Sequence, residues 1–439
     1  MARLFGTDGI RGVANADLTP DLMLAVGRAA GITLAEPGAE IVVGRDTRLS
    51  GPMLEGALVA GLCSAGVNVR SIGVAPTPAV AFLTVDAGSA AGAVISASHN
   101  PVPDNGVKFF SDIGMKISMD AEDRIEALLA DPTTDLPTGL RVGTVRPDHD
   151  AVEGYVRHLV SSVPTSLSGM RVALDCAYGA AWEVAPRAFR EAGAEVVAIN
   201  DSADGSRINV NCGSTSLDSL ARLVQQESAE LGFAFDGDAD RVLACDENGS
   251  PIDGDRILAL LALSLHDRGT LKSDLVVVTV MTNLGFHRAL EARGIEVLAA
   301  PVGDRHVAEA MFDRGASLGG EQSGHVIFAE HATTGDGILT ALQVAAAVGS
   351  SGEPLSKVSG LFDQVPQVLL NVKVARRDRL DASTELWAEV ERAEAELGDE
   401  GRVLLRPSGT EPLVRVMVEA LDPAKAQQIA ADLARSVEK

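Results

Sequence analysis

The strongest constraint on the fold is a unit that occurs three times. Ile41-Val42-Val43, Val172-Ala173-Leu174 and Val276-Val277-Val278 are short apolar runs, each followed by a helical stretch. A second run then enters through a glycine: Gly66-Val67-Asn68-Val69, Gly193-Ala194-Glu195-Val196-Val197 and Gly294-Ile295-Glu296-Val297. Apolar residues at successive positions belong to strands covered on both faces, the habit of parallel sheets flanked by helices. Three whole βαβ units therefore predict three related α/β domains in series rather than one large sheet. The last part of the chain breaks the pattern: strand (368–374), helix (about 380–397), strands (403–405 and 413–418) and helix (423–438) describe a small α+β domain.

The breaks between these parts are rich in turn formers. A polar segment at 131–148 carries Pro132, Pro137 and Pro147, a helix follows, and 163–169 reads as the first linker. The second boundary falls just before Asp253-Gly254-Asp255, and the stretch from Ser350 to Pro366 separates the last part. The expected domains are 1–163, 164–253, 254–364 and 365–439. Near the start, Thr19-Pro20 predicts an N-cap followed by Pro at the first helical position, with the helix running to about Ala35.

Five stretches carry candidate chemistry. In Val94-Ile95-Ser96-Ala97-Ser98-His99-Asn100-Pro101, an apolar strand ends in a polar loop, which re-enters at Lys108-Phe109-Phe110. Ser98 and His99 thus sit at a strand end, where α/β proteins keep their chemistry, although such a loop is also what an ordinary turn looks like. In Phe235-Asp236-Gly237-Asp238-Ala239-Asp240-Arg241, three carboxylates at alternate positions face one side and repel one another unless a hard cation joins them. An EF-hand is set aside because Arg241 stands where its glycine belongs. An aspartyl phosphatase motif is set aside because Ala239-Asp240 does not complete it. Gly319-Gly320-Glu321-Gln322-Ser323-Gly324-His325 offers Glu321 and Ser323 for hydroxyl recognition and His325 for proton transfer. Arg406-Pro407-Ser408-Gly409-Thr410-Glu411-Pro412-Leu413-Val414-Arg415 gathers two hydroxyls, a glycine and two arginines in one loop between strands, as a phosphate cradle requires. Finally, Gly6-Thr7-Asp8-Gly9-Ile10-Arg11-Gly12 can bring backbone amides and a guanidinium close to a phosphate, although on this stretch alone a flexible N-terminal turn is the better reading.

Other chemistries lack their residues. No lysine follows a glycine, so there is no P-loop. The one G-x-G, Gly335-Asp336-Gly337, has Thr340 where a dinucleotide fingerprint needs its third glycine. Ser98 lacks the glycines of a hydrolase elbow. A net charge of −24 argues against nucleic acid and anionic membranes as partners. Cys63, Cys176, Cys212 and Cys245 form no C-x-x-C pair. With no signal pattern and no apolar run near the ~18 residues of a membrane span, they read as reduced thiols of a cytoplasmic protein. In so acidic a chain, an anionic ligand demands that Arg and Lys be concentrated in one cleft.

Taken together and in this order, the serine loop, the aspartate loop, the Glu-Gln-Ser-Gly-His loop and the Arg-Pro-Ser-Gly-Thr loop resemble those of the α-D-phosphohexomutase superfamily. The resemblance covers the whole chain, and the forms of Phe5–Gly12, 320–325 and 406–417 look most like its amino-sugar branch. It implies four domains around a central cleft, the first three mixed-sheet α/β/α units. It implies that Ser98 is a phosphoserine and that one Mg²⁺ lies between its phosphate and Asp236, Asp238 and Asp240. The implied reaction interconverts glucosamine 6-phosphate and glucosamine 1-phosphate through a sugar 1,6-bisphosphate that also serves as activator, and its product feeds UDP-N-acetylglucosamine synthesis. Arg11, Lys108 and Arg241 would stabilise charge near the transferring group, with His99 beside the serine. Lys108 or His325 would move the proton. Glu321 and Ser323 would hold sugar hydroxyls, and Arg406, Ser408, Gly409, Thr410 and Arg415 the non-reacting phosphate. The alternative within the superfamily is a phosphomannomutase or phosphoglucomutase, and outside it a non-catalytic sugar-phosphate sensor. The sequence leaves open the oligomeric state, a homodimer included. It also leaves open whether Ser98 is first phosphorylated by itself, a protein kinase or a bisphosphate.

Overall fold

The computed structural model describes residues 3–131, 135–148, 150–374, 380, 383–407 and 413–437. Among them, the strands form four sheets. The first contains β1 (Ile10–Val13), β2 (Glu40–Arg45), β3 (Asn68–Val74), β4 (Ala91–Ile95), β5 (Asp104–Ser111) and β6 (Val145–Pro147), in the order β1-β5-β4-β2-β3-β6. The second contains β7 (Arg171–Asp175), β8 (Glu195–Ile199), β9 (Leu231–Phe235), β10 (Val242–Asp246) and β11 (Pro251–Ile252), in the order β11-β10-β9-β7-β8. The third contains β12 (Leu275–Thr279), β13 (Glu296–Ala300), β14 (Leu318–Gly320) and β15 (Val326–Phe328), in the order β13-β12-β14-β15. The last is antiparallel: β16 (Gln367–Lys373), β17 (Gly401–Pro407) and β18 (Leu413–Ala420), with β18 in the middle.

The three repeated units share one wiring. In each, the first apolar strand lies between two parallel partners, β2 between β3 and β4, β7 between β8 and β9, β12 between β13 and β14. In each, the chain then reverses into an antiparallel fourth strand, β5, β10 or β15. The reversal leaves the carboxyl end of a parallel strand, where open α/β sheets present their binding loops. Those three reversals are the Ser98 loop, the aspartate loop and the 321–325 turn. Repetition of one local rule thus places three separate stretches at corresponding ends of three sheets.

Local signals set the element ends. The first helix, Pro20–Leu34, is capped by Thr19, whose hydroxyl accepts from the Leu22 amide at 3.2 Å. Gly254–Asp267 is capped by Asp253 and Gly337–Ser351 by Asp336. The latter helix is buried from Gly337 to Val348 and is apolar nearly all round, as a helix enclosed by other elements must be. It lies in one hydrophobic core, with residues from Val42 to Phe362, that runs through the first three sheets. The last domain has its own core, from Val372 to Leu433. It joins the rest largely through polar contacts. Asn283 Nδ2 donates to Val365 O and to Glu419 Oε1, and the buried Glu419 also accepts from Arg402 Nε at 2.6 Å. No helix among the described residues is long and apolar enough to cross a membrane.

Candidate active site

Ser98 is buried and adopts a left-handed backbone at φ 51°, which a non-glycine residue holds only when its surroundings impose it. Its hydroxyl lies 2.5 Å from Asp236 Oδ2 and 3.1 Å from His99 Nδ1. Asp236, Asp238 and Asp240 follow β9 directly and are all buried. One carboxylate oxygen from each lies within 4.8 Å of the others. Asp238 Oδ1 and Asp240 Oδ1 are buried without hydrogen-bond partners, so the cluster has acceptors in hand for an oxygen-seeking cation, and all-carboxylate donors suit a hard divalent ion. Burial and the neighbouring Asp240 and Asp238 push the Asp236 carboxyl well up, the behaviour of a carboxylate that lacks its counter-charge. Thr77 Oγ1 donates to Asp238 Oδ2 at 2.6 Å and fixes one member of the cluster from the first domain.

Lys108 stands opposite Val94 across β4 and β5 and points its ammonium into this cluster, 2.8 Å from Asp238 Oδ2 and 3.1 Å from Asp240 Oδ2. Burial opposes its charge, but Asp238, Asp240 and Asp8 outweigh burial and hold its pKa well above the ordinary value. Arg241 donates its amide to Asp236 Oδ1 and its Nη1 to His99 Nδ1 at 3.1 Å. Burial, with Arg241 and Arg11 nearby, depresses His99 to about 4, so its ring is neutral. Arg11 lies on β1, beside β5, and pairs with Asp8. Of the N-terminal stretch, Gly6–Gly9 closes a turn through the Gly6 amide and the Gly9 carbonyl, and Ile10–Val13 continues as an edge strand of the first sheet.

The 321–325 stretch differs from the extended strip that alternate spacing suggests. Gly324 has φ 89° and donates to Glu321 O at 2.9 Å, while the Glu321 amide donates to His325 O, so the segment is a tight hairpin turn. The turn splits the three side chains. Ser323 is exposed and faces Glu321 Oε2 at 3.4 Å, whereas His325 is buried. The Gly335 amide donates to His325 Nε2 at 3.0 Å, so that nitrogen keeps a lone pair and the ring proton sits on Nδ1, 3.8 Å from Asp240 Oδ1. Burial alone would lower the His325 pKa. Asp240, Asp304 and Glu321 reverse that and raise it.

Thus Ser98, His99, Lys108, Arg241, His325 and the three aspartates meet in one buried cluster, with Arg11 joined to it through Asp8. Glu321 and Ser323 line the turn next to it. Arg406 and Arg415 flank the loop of the last domain, while Ser408, Gly409 and Thr410 lie outside the described residues. Sequence reasoning missed Asp8, Lys116 and Asp304. Lys116 Nζ lies 2.6 Å from Asp8 Oδ1 and 2.6 Å from Asp304 Oδ2, tying the first and third domains across the base of the cleft. Asp8 was legible within the Gly6–Gly12 stretch. Lys116 and Asp304 belong to no local pattern.

Four family models match in chain order. They are the phosphoglucomutase/phosphomannomutase α/β/α domains I, II and III, over residues 2–135, 153–249 and 253–365, and the C-terminal domain, over residues 369–436. The chain belongs to the phosphoglucomutase/phosphomannomutase family. A solved family protein from Burkholderia thailandensis superposes with a TM-score of 0.85 at 28% identity, covering 99% of this chain and 96% of that one. The Aspergillus fumigatus N-acetylphosphoglucosamine mutase, solved in complex with GlcNAc-6P and magnesium, has the same fold, with a TM-score of 0.72 at 19% identity over 99% of this chain and 95% of its own. Within the family, the chain groups with the phosphoglucosamine mutases. It is 54% identical to that of Streptomyces coelicolor over 100% of this chain and 99% of the relative. It is 53% identical to that of Rhodococcus jostii over the same shares.

Proposed function

We propose that this chain interconverts glucosamine 6-phosphate and glucosamine 1-phosphate through a phosphoserine at Ser98 and a bound sugar 1,6-bisphosphate. The observation that carries this reading is the Ser98 hydroxyl set 2.5 Å from Asp236, at the edge of a buried carboxylate cluster with partnerless oxygens. A phosphate on that hydroxyl adds a charge of about −2 beside three carboxylates. Asp236, Asp238 and Asp240 would hold Mg²⁺ there, which would neutralise charge developing on the transferred phosphoryl group.

In the forward direction the bond between Ser98 Oγ and phosphorus breaks and a bond from the sugar O1 to phosphorus forms. Glucosamine 1,6-bisphosphate results, and the proton of the sugar hydroxyl passes to the protein. Lys108, held as an ammonium by Asp238 and Asp240, stabilises charge on the group in flight with Arg11 and Arg241. That leaves His325 to exchange the proton; because Nδ1 already carries the ring proton, the lone pair that takes it up is that of Nε2, which must release the Gly335 amide. The bisphosphate then reverses in the cleft and returns its 6-phosphoryl group to Ser98, releasing glucosamine 1-phosphate. Glu321 and Ser323 hold hydroxyls that remain within reach after reversal. Arg406 and Arg415, with the 408–410 segment between them, grip whichever phosphate is not reacting. The buried free thiols Cys176, Cys212 and Cys245 fit the reducing cytoplasm, where the product enters UDP-N-acetylglucosamine synthesis.

The sugar assignment rests on the full-length relatives, since an amine and a hydroxyl at carbon 2 differ by little more than one polar contact. The test is kcat/KM for glucosamine 1-phosphate, glucose 1-phosphate and mannose 1-phosphate measured side by side with Mg²⁺ and an activating bisphosphate. A preference for the amino sugar is expected. A preference for glucose or mannose would move the chain to another branch of the family.

A further inference from the structure

Arg48 is among the largest fully buried side chains of the molecule, yet it is charged and has no role in the chemistry proposed above. All five of its N–H groups are placed. Nε donates to Asp46 Oδ2 at 3.0 Å. Nη1 donates to the carbonyls of Pro101 and Asp104 at 2.6 and 2.9 Å. Nη2 donates to the carbonyls of Ser98 and Asn100 at 2.9 and 2.8 Å. Four of five donors therefore end on the backbone of one loop, the loop that carries Ser98.

The same ion pair holds the other side of the serine. Asp46 Oδ2 accepts from Ser96 Oγ at 2.7 Å, and Ser96 Oγ accepts from the Ser98 amide at 2.9 Å. Both the N–H and the C=O of Ser98 are thus tied to Asp46–Arg48, and the left-handed φ of Ser98 is the conformation this ring imposes. A second domain reaches the same carbonyl. Asn209, itself at φ 59°, donates Nδ2 to Ser98 O at 2.8 Å and to Asn100 O at 3.2 Å. Gly237, in the aspartate loop, leaves the room: a Cβ there would lie 2.6 Å from Ser98 O and 3.0 Å from Asn209 Nδ2.

We propose that Arg48 and Asn209 are positioning residues for phosphoryl transfer, gripping the Ser98 carbonyl from two domains so that its hydroxyl is aimed at the carboxylate cluster. The proposal rests on Ser98 as the transferring serine. Asp46 and Arg48 cancel in charge, and Asn209 is neutral, so the clamp adds geometry rather than field. It touches none of the residues assigned to the sugar or the distal phosphate. Its loss should therefore fall on kcat and spare KM. Misplacing a reacting group by about 1 Å costs on the order of a hundredfold in rate.

The experiment uses the full chain with Asn209→Ala, Asn209→Asp, Arg48→Lys and Ser98→Ala. It records kcat and KM for glucosamine 1-phosphate, melting temperature, and phosphate at Ser98 by peptide mass spectrometry after priming with glucose 1,6-bisphosphate. Asn209→Ala should lower kcat about ten- to hundredfold, with KM within about twofold and Ser98 still the phosphorylated residue. Asn209→Asp should be lower still, because a carboxylate would face two carbonyls. Arg48→Lys, with three donors at one point in place of a planar fork, should behave as Asn209→Ala or fail to fold. The Asn209 pair decides in either case. If both Asn209 variants kept kcat within about twofold of wild type, or raised KM at unchanged kcat, the proposal would be overturned. If Ser98→Ala kept its turnover, the underlying reading would fail instead, whatever the Asn209 variants did.

Discussion

Arg406 and Arg415 stand directly opposite one another on β17 and β18, register partners at the base of the 408–412 loop. Like charges in that relation destabilise a sheet. Burial and the Arg415 charge together lower the Arg406 pKa, with Glu321 across the cleft opposing them. Such a pair is stable work for an anion and poor work for a fold. Arg406→Ala should therefore raise KM for the sugar phosphate about 10- to 100-fold, the worth of a charge-assisted contact of roughly 1.5–3 kcal/mol. The melting temperature without substrate should stay level or rise. An unchanged KM would remove the phosphate assignment from these strands.

Gly335 sets the orientation of His325. A Cβ at 335 would lie 2.4 Å from His325 Nε2 and Cε1, and the glycine amide is the donor at that nitrogen. Gly335→Ala should push the ring out of place and lower kcat by about a hundredfold, the usual worth of a proton-transfer group, with a smaller change in KM. Steady-state kinetics of the variant check this, and a wild-type kcat would show that His325 moves no proton in the rate-limiting step.

Much of this arrangement was legible in the chain, for a physical reason. The three apolar runs and their glycine-led partners are local patterns, and each reads as the strand it forms. The Ser98, Asp236–Asp240 and Arg406–Arg415 stretches concentrate their chemistry within a few residues. What escaped reading is what only tertiary approach creates. Arg48 looks like any surface arginine after a strand until the 98–104 backbone closes around it. Asn209 and Lys116 gain meaning from Ser98 and Asp304, more than 100 residues away in the chain. The alternation of Glu321, Ser323 and His325 misled because Gly324 takes a left-handed turn that folds the strip back on itself.

Asp255 should contribute stability that falls with rising pH. It is buried beneath Asn283, whose amide donates to Oδ2 at 2.9 Å, while Oδ1 has no hydrogen-bond partner. Burial first, then Asp253 and Glu419, push its carboxyl from 3.8 to about 7, against the donation from the Asn283 amide. A carboxyl raised on folding favours the protonated folded state. Its contribution is therefore complete below about pH 4 and is lost as the pH climbs through about 7. The difference amounts to roughly 4 kcal/mol at 1.36 kcal/mol per unit. Asp255→Asn should flatten the decline in melting temperature between about pH 4 and pH 7. An undiminished slope would mean that another group carries it.

The most direct test of the account follows one phosphoryl group. Enzyme phosphorylated at Ser98 with a radioactive label is mixed, in excess, with glucosamine 6-phosphate and Mg²⁺, and the reaction is quenched within a single turnover. The account predicts that the label leaves Ser98 and appears in the sugar bisphosphate and then at carbon 1 of the product, and that a chelator stops this transfer. Label that stays on Ser98 while product forms, or that passes to water as inorganic phosphate, would contradict it.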